Sequence, residues 1–146
     1  MKNILLLCFI SFLSHSFAQS VKADDILGTW LTGSGKAKVQ IYKSGEKYNG
    51  KIVWLKNPNY EDGKPKVDKN NKDKSKQTTP IMGLNLLKDF EFDDDEWEDG
   101  TIYDPEDGKT YSCNIKMRNG SLDVRGYVGL SLLGRTQIWI KVADVK

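Results

Sequence analysis

The 146-residue chain predicts an all-β fold, an eight-stranded antiparallel barrel running mostly up and down, with one long loop between the third and fourth strands. Three observations point there. Short runs of alternating apolar and polar residues recur along the chain, the period of a strand with one buried face. Tight-turn signals at Ser44-Gly45, Asp104-Pro105-Glu106-Asp107-Gly108 and Asn119-Gly120 separate several of those runs. No segment sustains the 3.6-residue apolar period of a long amphipathic helix. Closing the sheet removes exposed strand edges, and a barrel of about eight strands has room inside for side chains or one small ligand. A two-sheet sandwich is the alternative for the same strands.

The N-terminus reads as a removable segment. Lys2 supplies a positive start, Ile4 to Leu13 an apolar run, and Ser16-Phe17-Ala18 a small-x-small cleavage site, the pattern of a secretory signal peptide over residues 1–18. The run is about ten residues, against the roughly twenty that a spanning helix needs, so the mature chain is expected to have no transmembrane segment. Leu5-Leu6-Leu7-Cys8 suggests a lipid-attached cysteine, but the apolar region continues beyond Cys8. Residues 19–146 are then one barrel domain, periplasmic or secreted.

Cleavage removes the only histidine, His15, and one of two cysteines. Most hydrolytic triads and nearly all zinc sites use imidazole, so the mature chain excludes them, and no catalytic residue, metal ligand or cofactor is assigned. The mature chain has 21 basic and 20 acidic side chains, without the basic footprint of a nucleic-acid binder. A domain of this size buries about two-thirds of its unfolded surface and needs neither disulfide nor metal to fold.

The predicted strands, in order, are Gly28 to Gly33, Lys36 to Lys43, Glu46 to Leu55, Leu84 to Asp93, Glu96 to Tyr103, Lys109 to Arg118, Ser121 to Val128 and Arg135 to Val142. Asn119-Gly120 tolerates the positive φ of a two-residue hairpin turn and so sets a register. Met117 should face Leu122, Ile115 face Val124, Cys113 face Gly126 and Tyr111 face Val128, all on one largely apolar side. Cys113 therefore reads as a buried, inert thiol, since a reactive one needs an electropositive, partly exposed setting. Phe90 and Phe92 alternate with acids, as in a half-buried strand. On the last strand Thr136, Ile138, Ile140 and Val142 form the apolar face, leaving Arg135 and Trp139 on the other. Thr79-Pro80 could begin a short helical turn, which Gly83 would end.

Charge is sorted along the chain. Asp89 to Asp107 holds eleven acidic residues and no basic one, so two electrostatic poles are expected. Solvated strands and turns are one explanation, a weak calcium or cationic-partner surface the other. Asp93-Asp94-Asp95-Glu96 lacks the spacing of a calcium loop, and in Asp68 to Asp73 Lys72 stands where an oxygen ligand is needed. Asn57 to Pro80 is long for a structureless connection, and such loops are functional or disordered. Gly129-Leu130-Ser131-Leu132-Leu133-Gly134 either folds back on the core or forms an apolar rim. Trp54, Trp97 and Trp139 admit core packing or ligand contact.

Two resemblances follow from motifs. Gly28-Thr29-Trp30 resembles the opening of lipocalins, in which the Trp plugs the barrel base under an arginine near the last strand. Trp30 and, by position, Arg135 would fill those roles, although the predicted face of Arg135 disagrees. Gly50-Lys51-Ile52-Val53-Trp54, Asp62-Gly63-Lys64-Pro65, Ile102-Tyr103-Asp104-Pro105, Gly108-Lys109-Thr110-Tyr111, Arg125-Gly126-Tyr127-Val128-Gly129 and Gly134-Arg135-Thr136-Gln137-Ile138-Trp139, read in order, resemble the secreted bacterial family known as domain of unknown function 2147. That resemblance implies a small exported β-barrel domain and transfers no activity, substrate or catalytic residue.

Three function classes are consistent with these readings. A lipocalin-like module binding a small amphiphilic ligand is preferred, with the long loop as a lid. Its expected ligand residues are Tyr60 for stacking, Asp62, Asp68 and Asn71 for polar contacts, and Trp54 and Tyr111 from the wall. The second class is an envelope or stress-related interaction protein with a filled barrel and an envelope protein partner. The third is a hydrolase using Asp62 and Asp68 as acid and base, with Arg125 or Arg135 steadying an anion.

Overall fold

The computed structural model describes residues 20–130 and 133–146, and the signal-peptide reading of residues 1–18 lies outside them. The strands are β1 (Gly28–Leu31), β2 (Ala37–Ser44), β3 (Lys47–Leu55), β4 (Asn85–Asp93), β5 (Glu96–Asp104), β6 (Lys109–Arg118), β7 (Ser121–Tyr127) and β8 (Arg135–Val142). Each pairs antiparallel with its sequence neighbours, and β8 returns to β1 through Thr29–Val142, Trp30–Lys141 and Leu31–Ile140, closing the barrel. A sandwich would leave β1 and β8 with unpaired backbone groups; closure pairs them.

Turn chemistry sets the β6–β7 register. Asn119 and Gly120 have φ of 51° and 78°, as a two-residue hairpin turn requires. Met117 faces Leu122, Ile115 faces Val124 and Cys113 faces Gly126, as the alternation predicts. The Tyr111–Val128 pair lies beyond the observed ladder, which ends at Ser112–Tyr127.

The last strand reverses its predicted faces. Leu122 pairs with Trp139 and Val124 with Gln137, and directly opposite residues share a face, so the odd-numbered residues of β8 point inward. Trp139 is 1% exposed, whereas Ile138 and Ile140 are 60% and 49% exposed. Either face of β8 could have been buried on apolar content alone. Register with the inward Leu122 and Val124 decides it, and an indole fills more of the lumen than an isoleucine.

One end of the barrel, here the base, is stoppered. A 3-10 turn over Ala23–Ile26 precedes β1. Its carbonyls accept the two indole N–H groups that the apolar interior could not otherwise satisfy: Trp30 Nε1 donates to Ile26 O at 2.8 Å and Trp97 Nε1 to Ala23 O at 3.0 Å. Tyr48 Oη donates to Asp24 Oδ1 at 2.6 Å. Lys141 Nζ lies 5.1 Å from the Trp30 ring centroid and donates to Leu27 O at 2.9 Å. Lys141, not Arg135, is thus the cation over Trp30. Trp30 pairs with Lys141 across the β1–β8 seam, while Arg135 begins β8 at the opposite end of the barrel.

The middle of the lumen is filled through paired irregularities in β4 and β5. Their ladder breaks between Lys88–Thr101 and Glu91–Glu98. Asp89 and Asp99 take φ of 62° and 57° there, a conformation Asp tolerates better than most residues. The break brings the Phe90 ring over Gly100, where a Cβ would lie 2.4 Å from ring carbons. Trp30, Trp97, Trp139, Tyr48 and Phe90 are all essentially inaccessible to water. Close packing here predicts that Gly100→Ala loses about 1–3 kcal/mol in urea unfolding, the usual cost of overpacking. Gly126→Ala, whose Cβ would sit 3.3 Å from Ile102 Cγ2, should lose clearly less; equal midpoints for the two variants would mean that the Phe90 ring yields freely.

Candidate functional site

At the mouth, opposite the base, the inward side chains change character. Ile102 pairs with Tyr111, Cys113 with Gly126, and Gly126 with Arg135, so one lumen face carries Ile102, Tyr111 and Arg135 around a glycine. The Cβ position of Gly126 lies 3.3 Å from Ile102 and 3.7 Å from Tyr111, so the glycine lets those two side chains pack close over the wall. Tyr111 Oη donates to the Asp107 carboxylate, which raises the phenol above its ordinary value and lowers Asp107. The Arg135 charge reaches Tyr111 and opposes part of that rise. Arg135 itself is exposed and has no hydrogen-bond or ion-pair partner among the described residues. Burial raises the nearby Asp104 carboxyl. Lys36 Nζ meets Glu106 Oε1 at 2.8 Å, joining the β1–β2 and β5–β6 turns from opposite sides of the mouth.

The long loop is ordered by its own contacts. Asn59 bridges Pro65 and Val67 bridges Pro80. A 3-10 turn at Lys74–Lys76 is capped by Asp73, whose Oδ1 accepts from Ser75 N at 3.0 Å. This turn falls before Thr79-Pro80, where sequence suggested one, because Pro80 is engaged in the bridge to Val67.

Asp68 anchors the loop. It is 1% exposed, and its two oxygens accept from Tyr103 Oη and Asn71 Nδ2, each at 2.7 Å. Burial, and then the Asp68 contact, push the Tyr103 phenol up to about 12. Asn70 Nδ2 donates to Pro105 O at 3.1 Å and to Glu106 O at 2.9 Å. Gly108, with φ of 69°, lets the Asn70 carbonyl approach to where a Cβ would stand 1.9 Å away. Tyr103 alternates with inward-facing Ile102, so this anchor holds the loop against the outer side of the wall. Leu86 and Leu87 are both buried although strand neighbours face opposite ways, so β4 is covered on both faces.

The sequence-predicted ligand residues therefore separate. Tyr60 and Asp62 share an open concavity of about 780 Å³ with Asn57, Asn59, Glu61 and Lys66. Tyr60 Oη accepts from Val67 N at 3.3 Å, and Lys69 Nζ sits 5.7 Å from its ring centroid. Asp62 Oδ1 accepts from Lys64 N at 3.1 Å. Asp68 and Asn71 bond to each other and to Tyr103. Trp54 pairs with Lys38 on the outer wall, with the Lys38 ammonium 5.1 Å from its ring centroid. Of the expected ligand residues Tyr111 alone lies at the mouth, where Arg135 joins it on the Trp139 face, away from the base role assigned by position and in reach of an anion.

Cys113 is buried and free, its thiol pushed up to about 12 by burial, so it packs as a small apolar residue and offers no nucleophile near neutral pH. Part of the acidic segment is neutralised by Lys47 on Glu91 and Lys116 on Glu96. Among the described residues no cluster of three or more His, Cys, Asp or Glu is arranged to hold a metal, and no helix is long and apolar enough to cross a membrane.

Two outcomes follow from the buried groups. Tyr103→Phe removes one donor from buried Asp68, at a cost of about 1–3 kcal/mol, and should speed tryptic cleavage between Lys64 and Lys76 while the barrel resists; unchanged cleavage would place the loop's anchor elsewhere. Cys113 and Tyr103 both have raised folded values, so their contribution to stability is complete below the unfolded values of 9.0 and 10.0 and is lost as pH rises toward about 12. Urea midpoints should fall across that alkaline window, and Cys113→Ala should delay the onset; a midpoint flat to pH 12 would contradict it.

The comparisons with known proteins agree with this architecture. A solved structure from the human pathogen Helicobacter pylori, protein HP1028, described as belonging to the lipocalin family, superposes with a TM-score of 0.68. The two chains are 21% identical, over 81% of this chain and 83% of that one, a likeness that speaks to the fold alone. No curated relative matches the chain. The family model described as an uncharacterized protein conserved in bacteria, DUF2147, matches residues 28–141, from the first residue of β1 to the lysine over Trp30, and the chain belongs to that family.

Proposed function

We propose that the chain is exported and acts as a lipocalin-like module binding a small amphiphile that carries an acidic group, at the mouth of the barrel. The observation that carries this reading is Arg135. It is an inward-facing cation without an ion-pair partner among the described residues, set beside Tyr111 and Gly126. A guanidinium in that position offers paired donors to a carboxylate, sulfonate or phosphate. Ile102 and the Tyr111 ring supply apolar contact. The packed base and middle favour a short ligand held at the rim over one swallowed whole, so the pocket differs from a deep calyx. Export is supported by the pattern of residues 1–18.

One preparation tests both halves. A native mass spectrum of protein from a secreting host should show a chain beginning at Gln19, and a discrete adduct if the ligand survives purification. With anilinonaphthalene sulfonate as an anionic amphiphilic probe, Arg135→Gln should weaken binding about tenfold, the loss of one charge-assisted contact. Equal affinity in parent and variant would sink the mouth site, and an uncleaved N-terminus would sink export.

A further inference from the structure

The face of β8 that carries Arg135 continues toward the base through Gln137 to Trp139, because residues two apart on a strand point the same way and stand about 7 Å apart. Gln137 pairs with Val124, which is 3% exposed, so its side chain enters the lumen. Yet Gln137 is exposed where Val124 and Trp139 are buried. An inward residue that water reaches marks open lumen, and this one lies a step below Arg135. Trp139 is the floor beneath it.

The Trp139 indole fixes how the amide is turned. Its Nε1 lies 3.2 Å from Gln137 Oε1, and an indole N–H only donates, so the amide oxygen is the atom that must face it. The amide nitrogen, with two N–H donors, has no partner among the described residues. The stem is braced as well: a Cβ on Gly33, in the β1–β2 turn, would stand 3.2 Å from Gln137 Cβ. The acids at this end of the barrel are already engaged. Asp107 accepts from Tyr111, Glu106 meets Lys36, and Asp104 Oδ1 accepts from Glu106 N at 2.8 Å. Unused donors therefore line β8, while the acceptors are taken up around the β5–β6 turn.

We infer that Gln137 is the second donor of the mouth site, an assignment that rests on the site proposed above. The ligand's acid group passes the rim and divides its oxygens between the Arg135 guanidinium and the Gln137 amide. Such a pair selects a head group with at least two acceptor oxygens, a carboxylate, sulfonate or phosphate, over a single hydroxyl.

Two probes that differ only in the acid group make the test: anilinonaphthalene sulfonate, and N-phenylnaphthylamine, the same molecule without its sulfonate. Gln137→Glu keeps an acceptor for the Trp139 N–H in nearly the same shape but turns an oxygen toward the ligand, and should weaken the sulfonate probe about tenfold or more. Gln137→Met removes the donors without adding charge and should weaken it about three- to tenfold. Both variants should bind the neutral probe no more weakly than the parent, and Gln137→Glu should not lower the urea midpoint. Equal losses on the two probes would mean that the amide only supports Trp139, and would overturn the inference. So would parental affinity for the sulfonate in both variants while Arg135→Gln loses it, which would leave the mouth site standing without Gln137. Parental affinity in Arg135→Gln would remove the mouth site itself, and this role with it.

Discussion

The structure depends on how two buried indoles are satisfied. Trp30 and Trp97 fill the barrel base, where no water can take their N–H groups, and an unpaired buried donor costs about 1–3 kcal/mol. The 3-10 turn Ala23–Ile26 supplies the acceptors, because a turn so short leaves carbonyls that its own hydrogen bonds do not use. The turn in turn has little reason to hold its shape alone. Barrel and stopper complete one another, and Tyr48 on Asp24 and Lys141 on Leu27 fix the stopper from two further sides of the wall.

From that closure follows a division of labour along the barrel axis. The base is packed, and glycines in the wall admit the bulk of neighbouring strands, Phe90 over Gly100 and Leu87 over Gly50. Rigid packing at one end leaves chemistry to the other, where Tyr111, Asp107 and Arg135 meet. The long loop, the expected lid, spends its buried carboxylate on Tyr103 and so behaves as a clasp on the outer wall. Asp68 illustrates the general point: a buried carboxyl with both oxygens bonded to the chain holds structure, and at 1% exposure it presents no accessible oxygen to a ligand.

Much of the fold was legible because strand period and turn chemistry are local. The Asn119-Gly120 turn placed Met117, Ile115 and Cys113 opposite Leu122, Val124 and Gly126 without any tertiary information. The same local logic failed on β8, where isoleucines stood on one face and a tryptophan on the other. Local pattern had no means to rank them, since the deciding fact was which residue lay beside Leu122. The candidate site suffered for the same reason. Tyr60 and Asp62 were close in sequence and stayed together, whereas Arg135 came to Tyr111 only through the registers of β6, β7 and β8.

The amino-acid sequence by itself determined the strands, the hairpin turns, the burial of Cys113 and the family, because each rests on residues a few positions apart or on an ordered set of motifs. Tertiary structure alone decided which face of β8 is wet, which cation covers Trp30, and whether Asp68 serves a ligand or the loop. The first two share one cause: each depends on the closing of β8 against β1 and β7, a contact between residues far apart in the chain, where a shift of register by one residue would have exchanged every inward side chain for an outward one. The third depends on the long loop meeting Tyr103 on β5.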